Sequence, residues 1–200
     1  MVQIQIDLLK ANSADYESYF QTLTAKEKDI WKKDYEKVFL DEEVKQLLKS
    51  PSRPINIIVF SKSWCGECAM AVPMLERMAR LSTFLTLYII DRDQCPELFE
   101  PFMPNGDKRV PVVLFTSEDF YVVTQWVERC AKKFGMIWDI KQEMQGRTKE
   151  EIYARLTKTF KENTEIIRKA TIEELSAELL RTIGAVNYSS RLKTSPSSTE

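Results

Sequence analysis

Between residues 55 and 81 the chain changes its hydrophobic period, and a cysteine pair sits at the join. Residues 55–60 (INIIVF) form a short, β-branched apolar run, the pattern of a buried strand. From Trp64 to Leu81 the apolar residues Met70, Met74, Leu75, Met78 and Leu81 recur at helical spacing, with Pro73 predicted to kink the helix. The join reads Ser63-Trp64-Cys65-Gly66-Glu67-Cys68. A strand that runs directly into a helix through C-x-x-C constrains both fold and chemistry.

A cysteine at a helix start faces unpaired backbone N–H groups and the positive end of the helix dipole. That placement lowers a thiol from about 8.5 toward roughly 3.5–7.5. Two intervening residues let Cys68 turn back toward Cys65 within one helical turn. Cys65 is then the exposed nucleophile, and Cys68 the resolving thiol that displaces a captured substrate.

The rest of the chain is read around that pair. Residues 13–50 have helical spacing, with Tyr16, Tyr19, Phe20 and Leu23 on one stripe and Ser13 as the predicted N-cap. Residues 84–90 (FLTLYII) and 110–115 (VPVVLF) are predicted strands, with a short helix or turn over 93–102 for which Asp93 is the candidate cap. A fourth strand, 120–126, follows at hairpin distance and is expected to be antiparallel to the third. Helix is predicted from Val127 on, broken at Gly146. Capping boxes are read at Thr148–Glu151 and Thr171–Glu174, and a C-cap at Gly184. The division expected is a helical extension over 1–54, a redox domain over 55–145, packed helices over 146–186 and a disordered tail over 187–200.

The 200 residues carry no histidine. This excludes Ser-His-Asp and Cys-His catalysis, His-ligated zinc and the ordinary pH switch. Net charge is −1, so no bulk field draws the chain to nucleic acid or to an anionic membrane. The N-terminus lacks a basic leader with an apolar core, and no apolar run approaches the roughly 18 residues of a membrane span. A cytoplasmic, reducing location is expected, where C-x-x-C means redox or metal chemistry rather than a structural bridge. The four cysteines are spaced C-x2-C-x26-C-x34-C, which lacks the second close pair that a four-thiolate zinc site wants. No metal and no cofactor are expected; Cys95 is read as a buried residue or an accessory thiol, and Cys130 as core.

Over residues 55–126 the sequence resembles the thioredoxin family. The resemblance rests on INIIVF, W-C-x-x-C at the next helix start, Pro73 eight residues after Cys65, a second strand ending at Asp91, and Val110-Pro111 opening the third strand. It implies a three-layer α/β/α fold with a mixed four-stranded sheet, here with helical extensions at both ends. It also implies that Cys65 and Cys68 form the redox site and that Pro111 is cis beside them, keeping metal ions off the thiols. The Val110 backbone would pair with an extended substrate, and Trp64 would shape the receiving rim. Gly66, Glu67 and Arg109 would modulate the site. Two departures stand out: Val59 occupies the place of the family's buried Asp, and Leu87 lies about where its partner Lys would be. Glu67 is the candidate substitute as proton acceptor, against its reading as a solvent-exposed acid.

The function expected is thiol-disulfide exchange, as a reductase of a disulfide-containing protein or small disulfide, with electrons from an upstream reductase or thiol donor. The alternative is a binding module whose helical extensions dock a partner. Peroxide reduction by a single thiol lacks its usual Thr and Arg set.

Overall fold

The computed structural model describes residues 2–190. Its centre is a four-stranded sheet in the order β2-β1-β3-β4. The strands are β1 (Ile55–Ser61), β2 (Leu85–Asp91), β3 (Val112–Ser117) and β4 (Val122–Val127). β1 pairs parallel with β2, in register Ile55 to Leu85 through Ser61 to Asp91. β1 and β3 are antiparallel, as are β3 and β4. This is the mixed thioredoxin-like sheet.

Period-two alternation divides the core. Ile55, Ile57 and Val59 of β1, with Val113 and Phe115 of β3, join the larger apolar cluster. Ile58, Phe60, Val112 and Leu114 face the other side, where Phe99 and the fully buried Leu9 pack. The C-x-x-C helix lies on the larger side with the long C-terminal helix.

Four helices precede β1: α1 (Ile6–Asn12), α2 (Tyr16–Gln21), α3 (Ala25–Glu36) and α4 (Glu42–Leu47). The helical stretch expected over 13–50, with its separate short face after Asp41, is cut into further pieces, and each cut has a cause. Ser13 is not an N-cap but the C-cap of α1; Ala14 forms an antiparallel bridge to Ile89 on the edge of β2, which forces extended backbone there. Asp15 caps α2, Thr24 and Glu27 form a capping box on α3, and Asp41 caps α4.

After β1 come α5 (Gly66–Arg80), which holds Pro73 inside it, and the short α6 (Pro96–Phe99). Asp93 does not cap the latter; its carboxylate is engaged by Lys62 and Arg92, and Cys95 stands at the N-cap. Phe120 belongs to the β3–β4 turn rather than to a strand, with φ of 64° and its carbonyl accepting the Ile4 N–H.

The C-terminal helices are α7 (Ala131–Glu143), α8 (Lys149–Glu162) and α9 (Thr164–Asn187). The Thr148 capping box is present. The one read at Thr171 is not: Thr171 lies inside α9, and its hydroxyl donates to the Ile167 carbonyl. Gly184 is likewise internal, because α9 continues to Asn187, whose side chain accepts from the Ser52 N–H and donates to the Ser50 carbonyl. Of the tail expected over 187–200, residues 191–200 lie outside the described residues. Among the described residues no helix is long and apolar enough to cross a membrane.

Candidate functional site

Strand β1 ends at Ser61, and the chain turns through Lys62, Ser63 and Trp64 to place Cys65 at the N-cap of α5. Cys65 has extended backbone and is half-buried, whereas Cys68, one turn into the helix, is fully buried. All four cysteines are free thiols. The Cys68 thiol hydrogen-bonds the Cys65 sulfur, and the N–H groups of Cys68 and Glu67 add to it; burial and the Glu67 charge oppose them. The balance brings Cys65 down to about 7. Cys68 goes the other way. Burial pushes its thiol well up, reinforced by the bond to Cys65 and the Cys65 charge, against donation from the Lys62 N–H and the Ser61 hydroxyl.

Val110 and Pro111 are joined by a cis peptide bond. The Val110 carbonyl oxygen stands 3.5 Å from Cys65 Sγ, so residues 45 positions apart meet at the Cys65 sulfur. Trp64 is exposed, with the Arg92 guanidinium 5.8 Å from its ring centroid. Gly66 opens α5, and a Cβ there would meet nothing within 4 Å.

Glu67 is not a solvent-exposed acid. Its carboxylate is ion-paired with Lys133 of α7, which itself stands 4.3 Å from the Phe160 ring centroid of α8. Arg109 is shared between Asp107, at 3.1 Å, and Glu128, at 3.2 Å. Glu128 in turn donates its N–H to the Pro111 carbonyl at 2.7 Å, which links Arg109 to the cis-proline segment through the backbone.

Val59 is fully buried on β1, and Leu87 is buried on β2. Cys95 is buried in the smaller apolar cluster, on the other side of the sheet from Cys68. Cys130 is buried with its Sγ 3.8 Å from the Ile167 carbonyl. Among the described residues no three of Cys, Asp and Glu cluster as a metal site would require.

The N-terminal helices take part in the site, which the sequence reading missed. Trp31 of α3 is fully buried and its indole N–H donates to the Ser63 carbonyl at 3.3 Å, beside the cysteine pair. Tyr19 of α2 packs on Trp31 with ring centroids 5.5 Å apart, and its hydroxyl donates to Ser61 Oγ at 3.3 Å. A groove of about 320 Å³ runs between α3 and the start of α5, lined by Glu27, Ile30, Trp31, Trp64 and Cys65 among others. The apolar stripe of α2 was visible in the sequence; the polar end of Tyr19 was the signal for a second role.

The thioredoxin family model matches residues 13–145, more than half of the chain. The chain belongs to the thioredoxin family. Its match begins inside the helical extension, before α2, and so includes the Tyr19 and Trp31 contacts with the core. A comparison with curated proteins finds no match. Among solved structures, this thioredoxin-family chain is similar to a protein of unknown function from Pseudomonas aeruginosa. The TM-score is 0.64 at 16% identity, covering 92% of this chain and 99% of that one. It is also similar to an HIV epitope-scaffold protein, with a TM-score of 0.60 at 18% identity, covering 88% and 97%. At these identities the likeness speaks for the fold alone.

Proposed function

We propose that the protein is a thiol-disulfide oxidoreductase that reduces disulfides in a reducing compartment such as the cytoplasm. Cys65 thiolate attacks one sulfur of a substrate disulfide; a Cys65–substrate disulfide forms, and the other substrate sulfur leaves as a thiolate and takes up a proton. Cys68, as thiolate, then attacks Cys65 Sγ. The second substrate sulfur departs as a thiolate and takes up a proton, balancing the one Cys68 gave up, and the cysteine pair is left as an intramolecular disulfide, having delivered two electrons. A thiol donor or an upstream reductase restores the dithiol.

The observation that carries this reading is the asymmetry of the pair. Cys65 is accessible, stands at a helix start and is brought down to about 7, while Cys68 is buried and held up. A nucleophile with a pKa near the ambient pH is the most effective attacker in thiol exchange. Val110, beside Cys65, offers backbone to an extended substrate, and Trp64 forms the rim of the groove. The substrate class is a disulfide-bearing protein segment or a small disulfide.

The test is insulin reduction with a dithiol donor. Wild type is expected to accelerate it, and Cys65→Ser to abolish the acceleration. Equal rates for the two would defeat the reading and leave the fold as a scaffold. Trapping with Cys68→Ser, which leaves captured partners covalently on Cys65, would identify the substrates.

A further inference from the structure

A resolving thiol must lose its proton to attack, and Cys68 is enclosed by apolar side chains. Val59, on β1, belongs to the same apolar cluster as Cys68, so that strand position supplies no carboxylate. Glu67 is committed to Lys133. Among the groups that favour the Cys68 thiolate are the Lys62 N–H and the Ser61 hydroxyl, both at the end of β1 that leads into the cysteine pair. Ser61 is fully buried, and behind it stands Tyr19, itself buried, whose hydroxyl donates to Ser61 Oγ at 3.3 Å. Tyr19 comes from the N-terminal extension and also lines a cavity of about 730 Å³, together with Ser63, Asp91 and Gln94. The chain of donors therefore runs from that cavity to the resolving sulfur.

We propose that Tyr19 is a positioning residue of the redox site: through Ser61, it sustains Cys68 as a thiolate while Cys68 displaces the substrate from Cys65. This deepens the oxidoreductase reading and rests on it. Tyr19 donates to Ser61, which leaves the Ser61 proton free to donate to sulfur. Each donor is thereby oriented by the one behind it. The Cys68 proton leaves to solvent in the cavity or to the departing substrate thiolate. Once the mixed disulfide forms, the Cys65 negative charge is gone and no longer opposes ionisation of Cys68.

Cys65 and Glu67 share α5 with Cys68, Lys133 of α7 pairs with Glu67, Asp91 of β2 and Glu27 of α3 act on Tyr19, and the Lys62 ammonium, next to Ser61, pairs with Asp91 and Asp93. Burial holds the Tyr19 phenol protonated, well above its usual range, so it serves as a donor throughout.

Ellman's reagent separates the two steps. Attack by Cys65 releases one thionitrobenzoate, and displacement by Cys68 releases a second. Stopped-flow traces on the full chain, from pH 6 to pH 9, would compare wild type with Tyr19→Phe and Ser61→Ala, with Cys65→Ser as baseline. The first release is expected to be unchanged in both variants. The second is expected to slow about tenfold in Ser61→Ala and severalfold in Tyr19→Phe, the scale of a hydrogen bond to a charged group. Its rising limb should move to higher pH. Tyr19→Phe keeps the ring on Trp31, so it remains informative if Ser61→Ala folds poorly. An unchanged second release in Tyr19→Phe, or equal slowing of both releases with no movement of the pH limb, overturns the proposal. Absence of a Cys65-dependent first release in wild type overturns the oxidoreductase reading itself, and the proposal with it.

Discussion

Lys133 and Glu67 form an ion pair across the α5–α7 contact, with both side chains largely withdrawn from water. The pair bears on the Cys65 thiol because Glu67 is one of the groups that raise it. Lys133 thus neutralises a charge that works against the Cys65 thiolate. Lys133→Met is expected to raise Cys65 above about 7, and Glu67→Gln to lower it. Iodoacetamide alkylation at pH 6 should slow about threefold in the first and quicken about threefold in the second, the effect of roughly half a pKa unit.

The four thiols differ sharply in exposure, and the native protein should show it. At pH 7 one fast alkylation is expected, on Cys65, while Cys68, Cys95 and Cys130 react only after unfolding. Mass spectrometry counts the adducts. Fast labelling of any buried cysteine would mean that its surroundings open readily.

Reductase activity should follow the Cys65 titration. The thiolate is the attacking form, so its fraction is half at a pH of about 7 and falls about tenfold for each further unit of acid. Activity is expected to rise from pH 5.5 to 7.5 and then level off with respect to Cys65. Initial rates of disulfide reduction across that range check it.

Arg168 of α9 is almost fully buried, and its NH2 nitrogen contacts the Asp34 carboxylate of α3 at 2.6 Å. Asp34→Ala would leave the guanidinium buried with little compensation, since Glu165, 3.8 Å away, is exposed. A loss of about 3 kcal/mol is expected, and a much smaller one for Arg168→Met, which removes the charge itself. Urea unfolding of the two variants tests the difference.

Trp31 joins the extension to the turn that precedes Cys65. Trp31→Ala should destabilise the protein by about 3–5 kcal/mol, the usual cost of emptying a large aromatic site. Trp31→Phe keeps most of the packing but loses the bond to Ser63. It should cost about 1–2 kcal/mol and raise hydrogen exchange at residues 62–66. Thermal unfolding and exchange measurements separate the two effects.

Within residues 55–126 the strands, the α5 start and the hairpin read correctly from sequence because their information is local, whereas Asp93, Phe120 and Glu67 did not, because each is set by contacts from elsewhere in the chain. β-branched runs, the helix-start cysteine and the hairpin spacing each specify their own backbone, and together they give the mixed sheet and the positions of Cys65 and Cys68. The Thr148 capping box is local in the same way. Thr171 and Gly184 misled because tertiary packing carries α9 through both positions, where weak end signals are outweighed by buried turns against the sheet. Ser13 misled because the edge of β2, far along the chain, draws Ala14 into a bridge.

By itself, then, the order of residues determined which elements form and which sulfur stands at a helix start, since both depend on neighbours within a turn or a strand. Tertiary structure alone decided what surrounds those sulfurs. It brought Val110 to Cys65, Lys133 to Glu67, and Tyr19 to Ser61 over 42 residues of separation. Such contacts arise where separate elements are driven together by burial of their apolar faces, and no local pattern records which polar tips will meet there.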